Sequence, residues 1–272
     1  MKKSKKCAQK KAIGMYEWTA FSCNIISGCI HNCKYCYAKE MAARFKRRST
    51  ADWVNEIVYG PKVSEDVKKY KGRVMFPSAH DIHPGNISVV LPYLLKLLMA
   101  GNEVLLVTKP HLECIQTICL ATEPYKKQIL FRFTIGSSSD EILRFWEPNA
   151  PTFEERFNSL KFAFGAGFQT SLSIEPMLDN VENIRGLVHQ VLPFITDAIW
   201  IGKPNFLMKR LKSNNALDAE TLHRAQEFDG WYSHANIMAL YDTYKTNVKI
   251  KWKESIKKIV GLGLSTEKGL DK

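Results

Sequence analysis

Apolar runs recur between positions 73 and 201, and each is followed by a segment in which apolar residues return every three or four positions. Short apolar runs bounded by turn residues read as strands, and the three-to-four spacing reads as helix. Strands are expected at 73–77, 103–108, 128–135, 168–174 and 198–201, and helices at 38–48, 89–99, 111–121, 152–166 and 180–192. Pro77 stops the first of these strands, and Thr152-x-x-Glu155 is a capping pattern at a helix start. An extended stretch at 19–26 precedes the first helix and completes six strand–helix alternations. Repeated βα order implies a parallel sheet. From 206 onward the pattern is helical and less regular, with Trp231, Tyr232, Tyr241, Tyr244 and Trp252 interleaved with lysines.

Length and composition narrow this picture. The 272 residues suffice for one barrel-sized domain with a full core. Seven cysteines, with no secretory signal, suit a reducing compartment in which thiols stay free, so a cytoplasmic location is expected. The lysine-rich amino terminus has no apolar core behind it and reads as a disordered basic arm over 1–14. No apolar stretch approaches a membrane span; 89–99 is too short and contains Pro92 and Lys96. Lys and Arg (39) exceed Asp and Glu (27), a formal charge of +12 that gathers in the arm, at 46–48 and over 245–258. An anionic partner, above all a nucleic acid, fits this charge. A basic surface kept for solubility fits it too.

The chemistry concentrates in Cys29, Cys33 and Cys36, spaced C-x3-C-x2-C where the extended stretch gives way to a helix. Three thiolates on one loop can hold three irons of a [4Fe–4S] cluster, whose full complement is four cysteines, and leave the fourth iron open. A structural zinc needs four closed ligands, commonly as two pairs, and only Cys33-x2-Cys36 has pair spacing here. Inert buried thiols are the other competing reading, but Gly28, His31 and Asn32 beside them suit a packed core poorly.

The run Gly28-Cys29-Ile30-His31-Asn32-Cys33-Lys34-Tyr35-Cys36-Tyr37-Ala38, with Thr108-Lys109 at a strand end, resembles the radical S-adenosylmethionine superfamily and, within it, the spore photoproduct lyase-related group. The resemblance implies an α/β fold: a partial (β/α)6 TIM-like barrel over 15–205 with a helical C-terminal extension over 206–272, the chemistry lying on loops at the carboxyl ends of the strands. It also implies a [4Fe–4S] cluster on Cys29, Cys33 and Cys36, whose open iron chelates S-adenosyl-L-methionine. Reductive cleavage of that cofactor gives a 5′-deoxyadenosyl radical for hydrogen abstraction, with electrons from an external donor. By the same resemblance Tyr35 packs against the adenine, Tyr35 and Tyr37 stand where tyrosines take part in hydrogen transfer, and Lys109 meets the methionine carboxylate.

Other assignments come from position along the chain. The loop 78–86 lacks the Gly-Gly-Glu-like segment of many relatives, and Asp81, with His80 or His83, is the best local substitute for gripping the cofactor ammonium. Ser137, Ser138 and Ser139 suit either ribose hydroxyls or a helix cap. Glu175 and Lys203-Pro204-Asn205 are expected at the same mouth, Glu175 paired with a cation such as Lys203 or with a ligand. The lyase group returns hydrogen through a cysteine after the second strand, and 75–86 contains none; Cys114 and Cys119 lie on an inward helical face and Cys23 on the first strand. That departure argues against thymine-dimer repair and leaves the radical chemistry intact. The expected activity is hydrogen abstraction in DNA repair or nucleic-acid modification. A peptide or small-metabolite substrate is the alternative within the enzyme class, and a non-catalytic zinc- or cluster-bearing nucleic-acid-binding protein is the alternative outside it.

Overall fold

The structure is a computed structural model and describes residues 11–270. Residues 1–10 of the expected basic arm lie outside the described residues. The chain runs through β1 (Phe21–Ser22), β2 (Ile26–Ser27), α1 (Tyr37–Arg44), β3 (Ile57–Val58), α2 (Gly60–Ser64), β4 (Val74–Phe76), α3 (Ile87–Met99), β5 (Val104–Thr108) and α4 (Leu112–Ala121). It continues through β6 (Ile129–Thr134), α5 (Asp140–Trp146), α6 (Phe153–Gly165), β7 (Gln169–Ile174), α7 (Val181–Val191), β8 (Ile199–Ile201), α8 (Leu207–Ser213), α9 (Ala219–Trp231), α10 (His234–Tyr244), β9 (Ile250–Trp252) and α11 (Glu254–Lys257).

Among the described residues seven strands form one sheet in the order β1-β4-β5-β6-β7-β8-β9, and every neighbouring pair is parallel. The only other pairing there is β2 with β3, antiparallel. The six expected strands are thus present, and the segment expected to be purely helical adds a seventh: β9 pairs with β8, Ile199 opposite Ile250. Ile250 and Trp252 are buried while Lys251 between them is half-buried, a period-two pattern too short to stand out among the lysines around it.

Alternation along the strands divides the side chains into two layers. Val74, Phe76, Leu106, Phe131, Phe133, Leu172 and Ile201 join the large core against the helices, and Met75, Leu105, Leu130 and Trp200 form a separate inner core with Trp18. The inner layer also carries two charged side chains with no solvent exposure, Arg132 and Lys253. Each has an anionic partner, as buried charges require. Arg132 Nη2 lies 3.1 Å from Asp197 Oδ2, and Lys253 Nζ lies 2.6 Å from Glu17 Oε2 and donates to Gly14 O at 2.7 Å. The Trp18 ring lies under both cations, at 4.7 and 4.2 Å. The turn Gly14–Glu17 and Trp18 therefore fasten the amino-terminal segment to the β9 side of the sheet.

Candidate active site

The cysteine loop is clamped on several sides. Gly28 adopts φ +103°, and a Cβ placed on it would stand 2.7 Å from the carbonyl oxygen of Trp53, so only glycine fits here. The adjacent Cys29 amide donates to that same oxygen at 2.9 Å. Further along, the Lys34 amide donates to Trp146 O at 2.9 Å, Asn149 Nδ2 donates to Ile30 O at 2.9 Å, and Asn214 Nδ2 donates to both Lys34 O and Cys36 O at 2.9 Å. Cys36 caps α1, its Sγ accepting from the Lys39 amide at 3.4 Å. Gly28→Ala is expected to cost about 1–3 kcal/mol of stability through forced strain. Urea unfolding of the two proteins checks it.

Cys29, Cys33 and Cys36 line a cavity of about 390 Å³ at the carboxyl ends of the parallel strands, together with Asp81, Thr108 and Lys109. This is the size range of small-ligand sites. Thr134, Ser173 and Glu175 from the ends of β6 and β7 share the wall, as do Lys203, Asn205 and Glu254. Among the described residues no three His, Cys, Asp or Glu side chains converge to hold a single metal ion. In a four-iron cluster each thiolate meets its own iron, and three thiols on one cavity wall supply that donor set. Burial pushes the Cys33 thiol up to about 12, although Lys109 opposes the shift.

Asp81 is almost fully engaged within the protein. Its oxygens accept from the Ile82 amide at 2.9 Å and the Lys109 amide at 3.1 Å, from the Thr108 hydroxyl, and face His31 Nδ1 at 3.2 Å. Burial alone would raise its pKa, but His31, Lys109 and Thr108 hold the carboxyl well below the usual carboxylate range. The ammonium grip expected of Asp81 has to compete with these bonds. His31 Nε2 in turn meets His111 Nε2 at 3.1 Å, and His111 Nδ1 lies 3.4 Å from Glu155 Oε1. Glu155 belongs to the Thr152 capping pattern. Its amide is capped by Thr152 Oγ1 at 3.2 Å, while its carboxylate is spent on His111 and the Leu112 amide. His80 lines the cavity, whereas His83 is paired with Glu56 at 2.9 Å.

Lys109 lies where its position after β5 places it, with Nζ 4.0 Å from Asp81 Oδ2 and 3.9 Å from Glu147 Oε1. Burial would lower its pKa, but Cys33, Glu147 and Asp81 keep the ammonium charged above its ordinary range. Glu147 is fully buried; it lies 2.6 Å from Arg156 Nη2 and accepts from the Tyr35 hydroxyl. Tyr37 is exposed on the cavity rim and donates to Ser78 O. Glu175 lines the cavity, and its cation is Lys253 at 3.4 Å and not Lys203; burial raises its pKa and Lys253 offsets this only in part.

Ser137 was expected at the ribose or as part of a helix cap. Ser137 is not among the residues lining this cavity: its hydroxyl donates to Asp179 Oδ2 at 2.7 Å, and Ser139 caps α5. Thr134 and Ser173, at the ends of β6 and β7, are hydroxyl residues that do line the cavity, and the Thr108 hydroxyl at the end of β5 is given to Asp81. Cys114 and Cys119 are buried on α4 as expected, and Cys23 is buried with its Sγ 3.7 Å from the Tyr70 hydroxyl. His31, Thr108, Glu147 and Arg156 were absent from the sequence-based site. Each is buried and polar, and no residue next to it in sequence hints at its partner.

No family model matches the sequence. It is 28% identical over 166 residues to the uncharacterised protein ORF301 of Acidianus two-tailed virus, covering 57% of this chain and 54% of that one. It is 25% identical over 171 residues to the uncharacterised protein MJ0683 of Methanocaldococcus jannaschii, covering 61% and 64%. The chain thus spans less than two thirds of the length of both relatives. Among solved structures, a spore photoproduct lyase variant with bound AdoMet and dinucleoside spore photoproduct superposes with a TM-score of 0.54 at 14% identity, over 84% of this chain and 78% of that one. SuiB of Streptococcus suis, bound to its precursor peptide SuiA, gives a TM-score of 0.50 at 11% identity, over 90% and 49%. At such low identity the agreement is one of fold: the chain adopts the fold seen in spore photoproduct lyase.

Proposed function

We propose that the protein is a radical S-adenosylmethionine enzyme. The observation that carries this reading is the presence of Cys29, Cys33, Cys36 and the Lys109 ammonium on one cavity at the carboxyl ends of a parallel sheet. Cys29, Cys33 and Cys36 would hold a [4Fe–4S] cluster. The chemistry it supplies when bound is transfer of one electron to the sulfonium of S-adenosylmethionine, breaking a carbon–sulfur bond to give a 5′-deoxyadenosyl radical that abstracts hydrogen from substrate.

The chain's own residues bind and orient. Lys109 has two carboxylates about 4 Å away and, among the described residues, no acceptor within hydrogen-bond distance, which leaves its donors to the cofactor carboxylate. Tyr35 spends its hydroxyl on Glu147 and offers the cavity its ring, which suits packing against adenine better than hydrogen donation. Tyr37 has its phenol at the rim, with its proton held on the Ser78 carbonyl, and we assign it to the substrate side of the cavity. Thr134, Ser173 and Glu175 are the groups we assign to the ribose and the substrate edge. We assign the reducing electron to an external donor.

For the substrate we favour a nucleic acid. Phe206, 74% exposed, and Lys203 and Arg210 line the mouth, Arg210 lies 6.0 Å over the Tyr37 ring, and α8 adds Lys209 and Lys212. Exposed aromatics set among cations suit stacked bases and phosphates, and the structurally similar spore photoproduct lyase was captured with a dinucleoside. No helix among the described residues is long and apolar enough to cross a membrane, and we place the enzyme in the cytoplasm because its thiols must stay reduced.

Anaerobic reconstitution with iron and sulfide, followed by reduction, should convert S-adenosylmethionine to 5′-deoxyadenosine. Deuterium should then pass into it from a deuterated oligonucleotide. A chain that binds one zinc ion and cleaves nothing contradicts the enzyme reading, and deuterium transfer from a peptide alone contradicts the choice of substrate.

A further inference from the structure

Glu147 is the least expected charge in the molecule. It stands at the carboxyl end of α5, its side chain wholly buried, with no ligand role suggested by the motif. A buried carboxylate persists only when paired, and Arg156, equally buried, is sufficient for that: Nη2 stands 2.6 Å from Glu147 Oε2, while the guanidinium also donates to Pro151 O at 2.8 Å and Thr134 O at 3.2 Å. Charge balance thus does not explain why the second oxygen, Oε1, takes the Tyr35 hydroxyl and faces Lys109.

The geometry around Lys109 does. Its Nζ lies 3.9 Å from Glu147 Oε1 and 4.0 Å from Asp81 Oδ2, nearly equidistant from two carboxylates and in close contact with neither. Both carboxylates are fixed from behind, Asp81 by His31 and Thr108, Glu147 by Arg156 and Tyr35. The side-chain stem tethers the ammonium, and two attractions of similar strength leave it drawn into contact with neither carboxylate. With one of them gone, the ammonium closes on the other and spends its donors there.

We propose that Glu147 is the positioning residue for Lys109, holding its ammonium away from Asp81 so that it is free to receive the carboxylate of an amino-acid cofactor. Arg156 and Tyr35 fix the Glu147 carboxylate in turn. This proposal rests on the radical S-adenosylmethionine reading of the site.

The test compares the reconstituted wild-type protein with two variants, Glu147→Gln and the double replacement Glu147→Leu with Arg156→Met. The double variant guards against misfolding, because exchanging a whole buried ion pair for apolar side chains of similar volume is usually tolerated. Iron content per chain should be unchanged in every folded variant. Affinity for S-adenosylmethionine should fall about tenfold, the lower end of what one hydrogen bond to a charged group contributes. Affinity for decarboxylated S-adenosylmethionine, which offers Lys109 nothing, should change less than about twofold by the same reasoning. Equal weakening of both ligands, or of neither, overturns the positioning role while leaving the reading of the site intact. Failure of the iron-loaded wild-type protein to bind S-adenosylmethionine overturns both.

Discussion

Replacing Cys33 with alanine is expected to abolish cluster assembly while leaving the fold standing. Cys33 is buried on the cavity wall but contributes one small side chain to a loop that is fixed mainly by its backbone, through Trp53, Trp146 and Asn214. The loss in stability should therefore stay within about 1 kcal/mol, the range of a small truncation. Two remaining thiolates cannot hold a cluster built for three, so iron after anaerobic reconstitution should fall by about tenfold or more from four per chain. Cys114→Ala is the control. That thiol is just as buried, but on α4 in the apolar core, and its loss should leave the iron content unchanged. If the Cys33 variant kept its full iron, the ligand set would be wrong.

The second large effect is expected from Lys109→Met. Methionine keeps the length and packing of the side chain and removes only the ammonium. The two flanking carboxylates retain His31 and Arg156, so the fold should survive. What disappears is a charge-assisted hydrogen bond to the cofactor, about 1.5–3 kcal/mol, or about ten- to a hundredfold in affinity for S-adenosylmethionine. Equilibrium dialysis with labelled cofactor measures it. Unchanged affinity would remove Lys109 from the binding site.

The strands and the cysteine loop were legible because their signals are local. Residues 104–107 are a continuous apolar run and 129–133 a run broken only by Arg132, as expected of strands covered on both faces, and three cysteines within eight positions have few uses. Lys109 could be placed because it follows directly on a strand end. What was not legible depends on partners distant in sequence. Glu147 and Arg156 meet Lys109 and Tyr35 only after β5, α5 and α6 have packed together, and no periodicity encodes that meeting. Glu175 finds Lys253 in preference to the nearer Lys203 because β9 lies beside β8, a pairing hidden in a lysine-rich tail. Ser137 could not be assigned from sequence because a serine after a strand suits a ligand and a buried bond equally well, and in the structure its hydroxyl donates to Asp179.

The fold and the functional proposal meet at one atom, the iron that Cys29, Cys33 and Cys36 would leave without a protein ligand. Electron–nuclear double resonance on the reduced, reconstituted protein tests this most directly, with S-adenosylmethionine carrying nitrogen-15 in its amino group. A nitrogen-15 coupling large enough to require direct bonding to iron is the expected result. A reduced cluster whose signal ignores the labelled cofactor, or whose fourth iron is ligated by a side chain of the protein, would contradict the account.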